Sequence, residues 1–176
     1  MSDIAKELLE RIRTEGRVDG EVVKVDRFLN HMVDPRLMQR MAIHFAVHFG
    51  SRRIDKVITA ETSGIPLAQA LALELDVPYV YAKKKKPLTM AGFYAAASFS
   101  FTKQETTTLY VSCEVLAAGE RLLFVDDFLA KGSTLKAIED IITQAGAVLE
   151  GRAFIINKST RDDVDAILNL IDLQSL

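Results

Sequence analysis

The sequence predicts an α/β domain with a mostly parallel central sheet flanked by helices. A strand, polar loop, helix and strand follow one another twice, once over residues 54–82 and again over 121–157. In 176 residues with a hydrophobic fraction of 49%, there is material for one substantial core. Neither a repeat nor a linker interrupts the chain, so a single domain over 1–176 is expected.

Each element has its own local reason. Ile4, Leu8, Leu9 and Ile12 recur at helical spacing ahead of Gly16, predicting a helix over 3–14. A short apolar segment over 22–29 leads to Asp34-Pro35. Aspartate can cap the open N–H groups of a helix start, and proline arrives with its φ already helical. Leu37, Met38, Met41, Phe45 and Phe49 mark that helix's buried face, and Gly50 ends it. A β-rich run over 54–59 precedes the polar break Glu61-Thr62-Ser63-Gly64. Leu67, Leu71 and Leu75 then share one side of a helix over 65–75, and 77–82 is a second strand. After the turn Ala118-Gly119-Glu120, a strand over 121–125, a polar break over 126–133, a helix over 134–145 and a strand over 153–157 complete the second unit.

Between the units, residues 83–97 carry four lysines, a proline and a glycine, followed by weakly apolar residues. Residues 98–101 and 107–111 are expected to pair as an antiparallel hairpin across 102–106. An interruption longer than about 12–15 residues in a compact domain is usually functional or disordered.

Charge and composition exclude several partners. With 22 basic and 24 acidic residues the formal charge is −2, which gives no global attraction to nucleic acid or an anionic membrane. An anion site must therefore be local. The one cysteine, Cys113, cannot form an internal disulfide and fits a reducing cytoplasm. The charged, amphipathic N-terminus lacks the apolar run of a signal peptide, and no stretch approaches the roughly 20 apolar residues of a membrane helix. A cytoplasmic protein without nucleic-acid or membrane partners is expected.

Ligands of open parallel sheets gather beyond the carboxyl ends of the strands, which singles out residues 60–64 and 126–134. In the latter, an apolar strand delivers Asp126 and Asp127 to its tip, and Ala130, Lys131, Gly132, Ser133 and Thr134 open a helix. The N–H groups of a helix start can hold a phosphate; Gly132 admits close backbone approach, and Ser133 and Thr134 add hydroxyl donors. A phosphate cradle beside paired carboxylates suits a phosphorylated sugar. The same residue types also suit a plain helix cap beside a solvated turn. His44 and His48 share a helix face but form no metal-ligand pattern with cysteines.

The strand, the Asp-Asp pair and the small turn after them resemble the 5-phosphoribosyl-1-pyrophosphate (PRPP) motif of type I phosphoribosyltransferases, with Lys131 where threonine is usual. Three further segments match the xanthine phosphoribosyltransferase family. They are the run from Val22 through Asn30 to His31, the run from Ser98 to Gln104, and Asn157-Lys158-Ser159. The resemblance spans about residues 3–160; the family normally continues further past this lysine than Leu176.

The resemblance implies transfer of ribosyl phosphate from PRPP to a purine, with release of pyrophosphate and with Mg2+ carried on the pyrophosphate rather than held directly by the protein. Asp126 and Asp127 would hold the ribose hydroxyls and favour a cationic sugar. Ala130, Lys131, Gly132, Ser133 and Thr134 would take the 5-phosphate; Thr62, Ser63, Gly64 and Lys83 would take the pyrophosphate. Val23, Asn30 and Lys158 would form the base pocket. Lysine offers only donors, which favours a 6-oxopurine over adenine. The core would span about 36–156, a hood would combine about 1–35 with about 157–176, and a lid and hairpin would occupy about 83–111. A homodimer is implied as well. On residue types alone, Asn30 also suits a turn cap, Lys158 a strand-end side chain, and the lysine run 83–86 a solvated loop. Transferases for other bases, a PRPP-sensing regulator and a nucleotide-binding protein without transfer chemistry are the competing readings.

Overall fold

The computed structural model describes residues 1–20, 22–100 and 104–174, except for the side chain of Ser100. Helix α1 (Asp3–Glu15) is capped by Ser2, whose side chain accepts from the Ala5 N–H, and leads to a small antiparallel pair, β1 (Arg17–Asp19) and β2 (Val22–Lys24). The rest of the apolar segment is a π-helical turn, Asp26–Asn30. Asp34 accepts from the N–H groups of Arg36 and Leu37 and opens α2 (Pro35–Phe49). Then come β3 (Lys56–Ala60), α3 (Ile65–Leu75), β4 (Tyr79–Ala82), β5 (Phe93–Ser100) and β6 (Glu105–Ser112). The chain continues through β7 (Arg121–Leu129), α4 (Ser133–Ala145), β8 (Val148–Asn157), β9 (Asp165–Asn169) and the short α5 (Leu170–Leu173).

Five of these strands form one sheet in the order β4-β3-β7-β8-β9, with every neighbouring pair parallel. Alternation along the strands divides the core in two. Val57, Leu123, Val125, Ala153 and Ile155 pack with α1, α2 and α3. Ile58, Leu122, Phe124 and Phe154 pack with α4 and with Leu109 and Val111 of β6. A sheet covered on both faces needs strands apolar on both sides, which is why these runs show little polar alternation. Among the described residues, no helix is long and apolar enough to cross a membrane.

Three expectations are corrected. The hairpin strand starts at Phe93, so residues 93–97 are strand rather than loop, paired from Phe93↔Ser112 to Ser100↔Glu105. Three successive alanines carry little strand preference of their own. Their pairing with Thr108, Leu109 and Tyr110 supplies it, and Gln144 of α4 fastens Ala95 by accepting from its N–H at 3.3 Å and donating to its carbonyl at 2.9 Å. The turn expected between the strands falls partly on residues 101–103, outside the described residues. Second, β7 continues through the Asp-Asp pair, because β8 goes on pairing with it from Phe154 to Asn157. The polar loop is therefore shorter than 126–133. Third, the sheet gains an edge strand, β9, that the pattern reading stopped short of.

Candidate active site

The central strand β7 carries Asp126 and Asp127 to the carboxyl edge of the sheet, beside the end of β3. Both line a cleft of about 510 Å3, together with Glu61, Thr62 and Ser63 after β3, Lys84 after β4, Ser98 and Thr107 of the hairpin, and Ser133 and Thr134 of α4. A smaller cavity of about 130 Å3 opens alongside, lined by Ala130, Lys131, Gly132, Ser133 and Thr134. Asp126, Phe128, Ser133 and Thr134 belong to both, so the two cavities adjoin across these residues.

The smaller cavity has the makings of an anion cradle. Gly132 precedes α4 with φ of 76°, a left-handed conformation that glycine adopts at little cost. It supplies no capping side chain, so the first N–H groups of α4 face the cavity without that partner. Among the nearest atoms to a Cβ built on Gly132 are Leu129 Cδ1 at 3.8 Å and Arg161 Nη1 at 3.9 Å. The glycine is thus demanded by backbone conformation more than by crowding within the protein.

The two carboxylates differ in their surroundings. Asp127 is 6% exposed; its Oδ1 accepts from Ser63 Oγ at 3.0 Å, and its Oδ2 accepts from Asn30 Nδ2 at 3.5 Å. It ties the loop after β3 to the N-terminal segment. Asp126 faces the cleft and accepts the Asp127 N–H at 2.9 Å. Enclosure by protein, followed by the charge of Asp127, holds its carboxyl well above the usual carboxylate range, partly countered by Lys84.

Gly64 seats the first loop against this pair. A Cβ there would lie 2.1 Å from Thr59 Oγ1 and 2.8 Å from Asp126 Oδ1, so only glycine fits. Ser63 is held by Asp127, whereas Thr62 is exposed. The Glu61–Thr62 peptide is cis, and Glu61 Oε2 accepts the Lys84 N–H at 2.8 Å.

Lys83 lies outside the lining of this cleft. Its backbone pairs with Tyr110, its ammonium sits 5.1 Å from the centre of the Tyr81 ring, and it lines a separate cavity of about 450 Å3 with Tyr79, Met90 and Val111. Successive residues of an extended segment point to opposite sides, so its neighbour Lys84 reaches the cleft. Lys84 and Glu61 line the cleft although the sequence reading did not single them out as site residues; strand alternation was the signal for Lys84.

On the base side, Asn30 meets Asp127, and the Lys158 N–H bonds the Leu129 carbonyl at 2.7 Å. The Lys158 ammonium lies 5.3 Å from the centre of the Phe128 ring, and Phe128 lines both cavities. Val23 packs, half-buried, against the apolar cluster beneath α1 and α2 rather than on the cleft wall. Buried Asn157 organises the turn that carries Lys158: its Oδ1 accepts from the Ser159 N–H at 2.9 Å, and its Nδ2 donates to the Arg161 carbonyl at 3.1 Å.

A parallel sheet whose central strand presents paired carboxylates beside a glycine-opened helix is the arrangement expected of an α/β enzyme of the phosphoribosyltransferase class, which handles a phosphorylated sugar. The chain belongs to that family, with the phosphoribosyl transferase domain matching residues 35–167. It is 48% identical over 160 residues to a xanthine phosphoribosyltransferase of Geobacillus thermodenitrificans, covering 89% of this chain and 82% of the relative. A xanthine phosphoribosyltransferase of Pseudomonas aeruginosa is 45% identical over 157 residues, covering 88% and 83%. The fold is similar to that of adenine phosphoribosyltransferase from Thermoanaerobacter pseudethanolicus, with a TM-score of 0.75, 20% identity and coverage of 92% of this chain and 99% of that one.

Proposed function

We propose that the protein transfers the 5-phosphoribosyl group of PRPP to xanthine, forming the nucleoside monophosphate XMP and pyrophosphate in purine salvage. The observation that carries this reading is the meeting at the tip of β7 of segments far apart in sequence. Asn30 bonds Asp127, and Lys158 stands beside Phe128, so the residues matched to the base pocket adjoin the carboxylates matched to the sugar. The similarity to curated xanthine phosphoribosyltransferases supports the choice of base.

In this reading Ala130 to Thr134 take the 5-phosphate on the open N–H groups of α4 and the hydroxyls of Ser133 and Thr134. Asp126 accepts from the ribose hydroxyls, and its negative charge favours the oxocarbenium-like transition state. Asp127, already braced by Ser63 and Asn30, fixes the position of that carboxylate and links sugar to base. Ser63 and Lys84 face the pyrophosphate, with Lys84 offsetting its charge. The Lys158 ammonium donates to the 6-oxo group. Closure of the segment after Lys84 and of the hairpin would exclude water from the activated sugar.

Magnesium fits this donor set. It keeps much of its hydration and would arrive on the substrate phosphates, and Asp126 and Asp127, which line the cleft, would orient its bound water. Bound there with PRPP, it would neutralise charge on the leaving pyrophosphate. The cytoplasmic location expected from the sequence and the homodimer implied by the resemblance belong to the same reading.

Mixing protein, PRPP, magnesium and xanthine tests the activity. Stoichiometric pyrophosphate and XMP are expected. PRPP binding without either product would point instead to a PRPP-sensing protein.

A further inference from the structure

The turn after β8 carries two cations. Lys158 holds its ammonium beside Phe128, and Arg161, three residues on, comes beside Gly132. Arg161 Nη1 lies 3.9 Å from where a Cβ on Gly132 would sit, next to the turn that opens α4. Its orientation is fixed from several directions. Nε and Nη2 donate to the two carboxylate oxygens of Asp163 at 2.7 and 2.5 Å, which leaves Nη1 on the Gly132 side. The Arg161 N–H donates to Ser159 Oγ at 3.2 Å, and its carbonyl accepts from Asn157 Nδ2 at 3.1 Å. Glu139 of α4 stands 3.9 Å from Nη2 and also binds Arg152, so the guanidinium is tethered to the helix whose start forms the cradle.

We propose that Arg161 is a ligand of the sugar 5-phosphate, closing over the Gly132 turn with its Nη1. This rests on reading the cradle as the 5-phosphate site. Arginine suits the role because its rigid fork can grip a carboxylate with one edge and present a further N–H to a phosphate oxygen. Arg161 would add a charged donor from outside the turn formed by Ala130 to Thr134. Asn157 is then a positioning residue: one buried amide sets the turn that delivers Lys158 to the base and Arg161 to the phosphate. Asp163 is the arginine's resident counter-ion, held at a pKa of about 2 chiefly by its hydrogen bonds with Arg161, and so remains charged at any working pH.

Ribose 5-phosphate and magnesium pyrophosphate separate the two anion subsites in calorimetry. Losing a charge-assisted hydrogen bond should weaken ribose 5-phosphate binding by about tenfold or more in Arg161→Gln, with partial recovery in Arg161→Lys. Pyrophosphate affinity should stay unchanged. Asp163→Asn removes the ion pair but keeps the guanidinium, and should bind ribose 5-phosphate at least as well as the parent. Parent-like binding of ribose 5-phosphate by Arg161→Gln would overturn the proposal, as would equal losses in Arg161→Gln and Asp163→Asn, which would assign the arginine to structure. If the parent protein binds pyrophosphate but not ribose 5-phosphate, the reading of the cradle falls and takes the proposal with it.

Discussion

Gly64 lies so close to Asp126 that a side chain on it would meet the carboxylate: a Cβ would stand 2.8 Å from Oδ1, and only 2.1 Å from Thr59 Oγ1. The loop after β3 and the tip of β7 are therefore fitted to each other with no spare volume. Gly64→Ala should lower stability by about 1–3 kcal/mol, the usual range for forced overpacking, and displace the carboxylate pair. Thermal melting and steady-state turnover would both register the change. A variant matching the parent in both would show that the approach is looser than described.

Gly132 is constrained differently. Its φ of 76° disfavours any residue with a Cβ, by about 1–2 kcal/mol, and a β-branched one most of all. Because the nearest protein atoms leave room, Gly132→Val should remain folded while losing PRPP binding. Calorimetry with PRPP and magnesium would check this, and parent-like affinity would remove the turn from the site.

The carboxylate pair should matter for rate. Asp126→Asn combined with Asp127→Asn removes negative charge facing a cationic transition state, and a loss of ~3 kcal/mol corresponds to roughly a hundredfold in turnover. Near-normal turnover would falsify that role.

Asp126 also makes a prediction about stability. Its folded pKa lies above the unfolded carboxylate value of 3.8, so the folded state binds the proton more tightly. The charged form is the penalised one. Stability contributed by this group therefore increases as pH falls from above the folded value toward 3.8, and the penalty is greatest at high pH. Asp126→Asn should consequently melt higher than the parent at neutral pH, and the gap should narrow as pH falls through that window. A lower melting temperature across the whole range would contradict the direction.

How much of this was legible in sequence follows from which forces are local. Capping at Asp34, the apolar faces of α2 and α3 and the buried runs of β3 and β7 are written in consecutive residues, and the structure bears them out. The strand over residues 93–97 is not, because its alanines take strand form from their partners and from Gln144. The same division holds at the site. The Gly132 turn and the Asp-Asp pair sit together along the chain, so their neighbourhood was readable. That Lys84 rather than Lys83 lines the cleft depended on the register of a short extended segment. The bond from Asn30 to Asp127 spans 97 positions, and only the family resemblance hinted at it.

The interruption after β4 is narrowed by the hairpin, leaving residues 84–92 without helix or strand. Amide exchange over these residues should be fast in the free protein and slowed when PRPP and a base analogue bind, as a closing lid requires. Strong, equal protection in both states would make it a static loop.

Specificity constants for xanthine, guanine, hypoxanthine and adenine, measured at saturating PRPP and magnesium, test the account at its centre. Xanthine should rank first and adenine last. A 6-amino group facing the Lys158 ammonium leaves buried donors unpaired, at about 1–3 kcal/mol, so adenine should fall behind by roughly tenfold to a hundredfold. Guanine or hypoxanthine ahead of xanthine, with adenine still poor, would keep the role of Lys158 and remove the xanthine assignment. Adenine as the best base would contradict the placement of Lys158 in the base pocket, and with it the reading of the cleft as a 6-oxopurine site.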